Sequence, residues 1–373
     1  MAKRATKPES EPAAAEAEET LPRVPPPTML EQILGQAQAK RTLQTILKTG
    51  RIHHAWIFHG PPGVGKFSTA VAFGAALLDP TTAPDLAGNL APEEGSPVQV
   101  LVREGRHPDL HVITKELATL SRSDQVRKSK QQGIAKEVME EFLLEPAAKS
   151  RTMQGSSLAG KVFIVDEAEL LGLVAQNALL KTLEEPTPGT VIVLVTSAEE
   201  RLLPTIRSRS QRVSFMPLDE AEMLKWLSKR LGAAGIGAVE PAKRQWLLRF
   251  AGGSPGAAEV ALANDLFTWE QTLRPALDML ERGQFPIPLG GEMARLIDER
   301  AAASIKGRPE ASKDAANKAW ARRMLGFVGE DLRARLRART AGKTSAQIEA
   351  DASAVRLING VDAISSAEGF LMS

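Results

Sequence analysis

The sequence predicts an α/β fold: a parallel sheet with helices on both faces, followed by a long all-helical region. Three observations carry this. A short apolar strand, Trp56-Ile57-Phe58, runs into Gly60-Pro61-Pro62-Gly63-Val64-Gly65-Lys66 and then into a stretch rich in Ala, Val and Leu, Phe67 through Leu78. Lys161-Val162-Phe163-Ile164-Val165 and Val191-Ile192-Val193-Leu194-Val195 are apolar runs without alternation, which suits strands buried on both faces. From Pro217 onward no further strand is legible, only helical segments.

The first of these stretches matches G-x-x-x-x-G-K, a loop that cradles phosphates. Its glycines let backbone N–H groups turn inward around an anion. The following helix N-terminus adds partial positive charge and Lys66 a full one. Gly60, Gly63, Gly65 and Lys66 are therefore candidate nucleotide-binding residues. After the lysine the motif calls for Ser or Thr, whose hydroxyl holds Mg²⁺; here Phe67 stands there. Ser68 comes one residue late, about 100° further round the helix. ATP is thus the candidate cofactor, without an assigned metal ligand.

The remaining elements follow in order. Residues 1–27 are mostly Ala, Glu, Pro and Lys and cannot bury enough to order themselves, so a disordered tail is expected. Gln36–Thr49 carries Ala39, Leu43, Ile46 and Leu47 on one helical face and stops at Gly50. Residues 79–106, rich in Pro, Gly, Ala and Glu, read as an irregular excursion. His107-Pro108-Asp109 leads into a strand at Leu110–Ile113, Ser121–Leu144 reads as one or two helices, and 147–160 as a loop.

The strand at 161–165 ends in Asp166-Glu167, at the edge where open α/β sheets place ligands. Such a pair can hold Mg²⁺ and polarise an attacking water; alternatively the strand simply ends at a helix cap. The phosphate loop about a hundred residues upstream favours the first reading. A helix over Leu170–Glu185 is expected to bury Val174, Ala178, Leu179 and Leu183, and Pro186 stops it. The strand at 191–195 ends in Thr196-Ser197, which either read a terminal phosphate or close a turn. A last strand is expected at Val213–Phe215, then three short helices over 219–264 and helices over 266–373 with a break at Gln284–Gly291. Arg333, Arg335, Arg337 and Arg339 alternate along one of these helices, which spreads them round a solvated surface.

The bulk properties narrow the class. The 373 residues carry a formal net charge of +2, too small to argue nucleic-acid binding by whole-molecule charge. There is no cysteine and there are five histidines, so neither disulfides nor a zinc site is expected. No apolar run spans a bilayer and no leader core is legible, which makes a cytoplasmic protein the expectation.

Several stretches together are familiar. Leu34-Gly35-Gln36, His54-Ala55-Trp56-Ile57-Phe58-His59-Gly60-Pro61, His107-Pro108-Asp109, Gln176–Pro186 and Ile206-Arg207-Ser208-Arg209-Ser210 resemble the clamp-loader branch of the AAA+ ATPases, from Ile33 to about Phe215. The resemblance implies an AAA+ domain over 28–216, a small helical lid over 217–265 and a helical collar over 266–373. It implies that the collar joins five subunits, a hetero-pentamer with gamma/tau motor and delta subunits of bacterial DNA polymerase III, which places a sliding clamp on primed DNA. Within that ring Arg209 would act in trans on a neighbour's ATP, Thr196 or Ser197 would be the sensor-1 position, and Glu167 a weak or vestigial catalytic base. There are three departures: Phe67, the absence of arginine in Gly253-Ser254-Pro255-Gly256 where motor subunits carry Gly-Ser-x-Arg, and a cysteine-free 79–106 where relatives often carry a four-cysteine zinc module. The first two favour a subunit that does not turn over ATP alone. An active motor subunit is the alternative, and an unrelated P-loop kinase a weaker third reading.

Overall fold

The structure, a computed structural model, describes residues 29–128, 133–153, 156–231, 239–307 and 312–372. The expected tail at 1–27 lies outside the described residues. Helix α1 (Ala37–Thr49) precedes strand β1 (Ala55–His59) and helix α2 (Lys66–Leu78). Strands β2 (Ala83–Pro84) and β3 (Leu90–Ala91) form a small antiparallel hairpin before α3 (Pro97–Arg103). Strand β4 (Leu110–Ile113) is followed by short helices α4 (Asp124–Arg127), α5 (Lys136–Met139) and α6 (Glu145–Ala148), the last two joined by a π turn. Then come β5 (Lys161–Val165), α7 (Leu173–Glu184), β6 (Thr190–Thr196), α8 (Pro204–Ser208) and β7 (Gln211–Ser214).

The five long strands form one parallel sheet in the order β4-β5-β6-β1-β7. Side chains alternate along each strand, so the apolar runs feed two cores. Trp56, Phe58, Val162, Ile164 and Val193 pack with α1, α2 and α3 on one face. Ile57, Phe163, Val165, Ile192 and Leu194 pack with α5, α7 and α8 on the other. This is the expected doubly covered sheet. It sets the end of β1 beside the end of β6, where the chain runs away in opposite directions and ligand crevices form.

Three local expectations are corrected here. The excursion 79–106 is ordered around one buried carboxylate. Asp79, 1% exposed, accepts from the Thr81 N–H (3.0 Å) and hydroxyl (2.7 Å), the Ser96 hydroxyl (2.5 Å) and Gln99 Nε2 (3.1 Å). Polar side chains thereby supply the cross-links that local apolar periodicity does not. Helix α7 starts at Leu173 and buries Ala175, Gln176, Leu179 and Leu183, while Val174 is exposed; a 3₁₀ turn at Ala168–Leu170 shifts the phase of the helix. The break expected over 284–291 ends earlier, because helix resumes at Leu289 and takes Gly290 and Gly291 into its first turn.

The helical region holds α9 (Glu220–Leu231), α10 (Pro241–Ala251), α11 (Pro255–Ala263), α12 (Phe267–Glu281), α13 (Leu289–Ser304), α14 (Lys313–Thr340), α15 (Ser345–Glu349) and α16 (Ala352–Met372). One apolar cluster runs from Leu218 to Leu357, with the Trp246 ring against Phe250, Phe267 and Phe327. The arginines of α14 are not simply a solvated face. Arg335, its side chain only 14% exposed, bridges Asp278 (2.6 Å), Glu281 (2.9 Å) and Asp331 (2.6 Å). Arg339 reaches Glu281 and Asp351. Acidic residues on α12 and before α16 meet these arginines, a pairing that alternation within one helix cannot reveal.

Candidate functional site

The end of β1 turns into the phosphate loop through glycines at left-handed φ, Gly60 (143°), Gly63 (73°) and Gly65 (99°), where other residues are strained. Two outside contacts brace the loop. Gln36, itself at φ 54°, donates from Nε2 to Val64 O (3.1 Å) and to Met216 O (2.7 Å). This gives the Leu34-Gly35-Gln36 motif a physical job: it ties the loop to the end of the sheet. From the helical region, Ser254 Oγ donates to Pro62 O (2.9 Å) and the Gly256 N–H to Gly63 O (2.9 Å).

A cleft of about 940 Å³ opens at the loop. Gly63, Gly65 and Lys66 border it, as do Asp166 and Glu167 at the end of β5, Thr196 and Ser197 at the end of β6, and Trp226, Arg230, Gly256 and Glu259 from α9 and α11. The expected nucleotide residues are therefore brought together, except Gly60, which shapes the turn behind the cleft. Phe67 and Ser68 both line it. Ser68, expected to face away, stays at the wall because the cleft wraps the first turn of α2. Phe67 leans on the sheet core.

The electrostatics are uneven. Lys66 is buried, and its Nζ donates to Gly60 O (2.7 Å) and Pro61 O (2.6 Å). Burial pulls its pKa down to about 8, against the pull of Glu169 and Asp166. Asp166 is pushed up to about 6, by burial first and then by neighbouring Glu167. Glu167 sits at φ 49° and pairs with Lys115 Nζ at 2.7 Å. Thr196 is buried and its hydroxyl accepts from the Ala198 N–H (3.0 Å), so it closes the turn; Ser197 bonds the Glu169 carboxylate through its hydroxyl. Glu169 was not legible as a site residue, and neither were Trp226, Arg230 and Glu259. Arg230 and Glu259 form a bidentate pair at 2.6 and 2.7 Å between α9 and α11.

The glycines, the lysine and the helix N-terminus fit a polyphosphate. No hydroxyl follows Lys66 to grip a metal. The absence of arginine at Gly256 also has a steric counterpart: a Cβ there would lie 2.7 Å from Gly63 Cα.

Arg209 is outside this cleft. It follows α8, with one guanidinium nitrogen 2.8 Å from Glu184 Oε1 and another bonded to Thr205 O (3.1 Å). Its seat is built by the 176–186 block. Buried Gln176 donates to Leu171 O (2.9 Å) and Arg201 O (3.1 Å) and accepts from the Leu203 N–H (2.8 Å), which fixes the approach to α8. Asp109 of the His-Pro-Asp motif holds the N–H groups of Thr152 and Met153 at 2.8 Å. That is a structural role.

The fold and cleft define an AAA+ P-loop module followed by a helical region. Residues 35–219 match the family described as DNA polymerase III, delta subunit. The narrower likeness is to delta-prime subunits. That of Pseudomonas aeruginosa is 35% identical over 208 residues, covering 55% of each chain. That of Escherichia coli K12 is 32% identical over 232 residues, covering 62% of this chain and 60% of the relative. The DNA polymerase III subunit gamma/tau of Mycobacterium tuberculosis H37Rv is 28% identical over 236 residues, 61% of this chain and 36% of the relative. The matched segment spans little more than half of the delta-prime relatives' length. No helix among the described residues is long and apolar enough to cross a membrane.

Proposed function

We propose that this chain is a delta-prime-type stator of a bacterial DNA polymerase III clamp loader. Residues 28–216 are the AAA+ domain, 217–265 the lid and 266–373 the collar through which it joins gamma/tau and delta subunits in a hetero-pentamer. Arg209 reaches into the nucleotide site of a neighbouring motor subunit, where a guanidinium stabilises the charge of phosphoryl transfer while the sliding clamp is placed on primed DNA. The observation that carries this reading is where Arg209 stands. It is outside its own cleft, over a third exposed, and held by Glu184 in a seat that Gln176 braces. Replication in the cytoplasm follows from that role.

The chain's own cleft would hold ATP or its product through the N–H groups of the loop and through Lys66, with Asp166, Glu167, Thr196 and Ser197 on the facing wall. Arg209→Ala in the assembled complex tests the proposal: the variant folds and assembles, and clamp loading falls at least tenfold. Undiminished loading would remove the trans role. The reading as an active motor has one observation in its favour, the joint presence of Lys66, Asp166 and Glu167 on the cleft. It requires Mg²⁺-dependent hydrolysis by the isolated chain that Lys66→Ala abolishes; the stator reading requires none.

A further inference from the structure

The wall that faces the phosphate loop differs from what a triphosphate needs. Ser197, at the end of β6, turns both of its donors to one carboxylate: its hydroxyl bonds Glu169 Oε1, and its N–H points to the same oxygen at 3.3 Å. The other oxygen, Glu169 Oε2, is buried with no hydrogen-bond partner among the described residues. The donors that a terminal phosphate would use at this wall are therefore already taken by a carboxylate that lines the cleft.

Charge adds to this. Asp166, Glu167, Glu169 and Glu259 line the cleft against Lys66 and Arg230. Arg230 is committed to Glu259, and Lys115 pairs with Glu167 and also faces Asp166. No hydroxyl follows Lys66 to recruit a divalent cation that would neutralise the rest. A polyphosphate lying on the loop puts its terminal group toward the ends of β5 and β6. On that pose a third phosphoryl group comes against the Ser197–Glu169 pair, while a second is seated over Lys66 and the start of α2.

We infer that Glu169, anchored by Ser197, is a specificity-determining residue that makes this cleft select a nucleoside diphosphate over a nucleoside triphosphate. The inference rests on the reading of the cleft as a nucleotide site and adds the class of nucleotide it holds. A like charge a few Å away in a partly screened cleft is enough for a discrimination of about tenfold or more. The chain would then hold a spent nucleotide as a fixed part of its structure, in keeping with a subunit that does not cycle.

The test is equilibrium binding of fluorescent ADP and ATP to the whole chain, with EDTA present to remove metal. Wild type is expected to bind ADP about tenfold or more tightly than ATP. Glu169→Gln keeps size and hydrogen bonding, removes the charge, and is expected to tighten ATP until the two differ by less than about threefold, with ADP little changed. Ser197→Ala keeps the charge and retains the preference. Lys66→Ala weakens both nucleotides. Equal affinities in wild type, a uniform shift of both nucleotides in Glu169→Gln, a rescue by Ser197→Ala as large as that by Glu169→Gln, or binding of neither nucleotide to any form each overturn the inference. Loss of clamp loading with Arg209→Ala is read on the assembled complex, so the stator reading stands or falls separately.

Discussion

Asp166→Asn should make the protein more stable, and the gain should depend on pH in a defined way. Asp166 has its pKa pushed from 3.8 to about 6, by burial first and then by Glu167. An acid whose pKa is raised on folding is harder to ionise in the folded chain than in the unfolded one. Folding is therefore penalised wherever the unfolded chain would be ionised. The penalty grows between pH 3.8 and pH 6 and is constant above. Two pKa units and a little more, at 1.36 kcal/mol each, make about 3 kcal/mol at pH 7.5 and roughly half of that at pH 5. Asparagine keeps the oxygen that accepts from the Glu167 N–H at 3.0 Å, so the turn after β5 survives. Denaturant unfolding of both proteins at pH 5, 6, 7 and 8 reads the difference. A variant that gains nothing at pH 7.5, or the same amount at every pH, would refute the assignment of Asp166 as a carboxylate strained by its site.

Three further outcomes follow from named contacts. Gly256→Arg, which restores the residue that motor subunits carry, puts a Cβ 2.7 Å from Gly63 Cα. It should cost about 1–3 kcal/mol and pry the lid from the loop, visible as faster amide exchange at 60–66 and 254–258, with no ATPase gained. Asp79→Ala leaves the donors of Thr81, Ser96 and Gln99 unpaired; a loss of about 2–3 kcal/mol and early proteolysis within 80–106 should result, whereas unaltered protection would deny Asp79 its organising role. Arg335→Leu removes the cation shared by Asp278, Glu281 and Asp331, leaving Glu281 with Arg339 at 3.5 Å, and should cost about 2–3 kcal/mol. Arg335→Lys should recover only part of it, because one ammonium does not match the fork that serves three carboxylates.

The central strands were legible because they are buried on both faces. A run such as Val162-Phe163-Ile164-Val165 has no polar position, and its alternate residues supply two different cores. The loop was legible because glycine spacing is dictated by backbone angles that only the local chain sets. The small hairpin was not: each of its strands is two residues long, too short for any period, and what ties it down is Gln44, bonded to the N–H and carbonyl of Leu90, and the Asp85 carboxylate in its turn. The lid's share of the cleft was hidden for a different reason. Trp226, Arg230 and Glu259 sit on helices whose local patterns say only that one face is apolar. Which face meets a loop more than 160 residues upstream is a tertiary fact.

Glu169 and the 176–186 block show the same division at the level of function. Glu169 lies two residues beyond the legible carboxylate pair and reads as the start of a helix; only its bond to Ser197, across from β5 to β6, makes it part of the wall. The block from Gln176 to Pro186 was the most specific stretch of the sequence, yet none of it lines the cleft. Its polar members look elsewhere: Gln176 saturates the backbone that leads to α8, and Glu184 receives Arg209. A segment whose Gln176 and Glu184 serve an arginine outside the chain's own pocket is explained poorly by catalysis within that pocket. It is explained well by a surface built to present that arginine to another molecule. The two sides of this chain then answer to different demands: the cleft wall carries an extra carboxylate and no metal-gripping hydroxyl, while on the other face Glu184 and the Thr205 carbonyl hold Arg209.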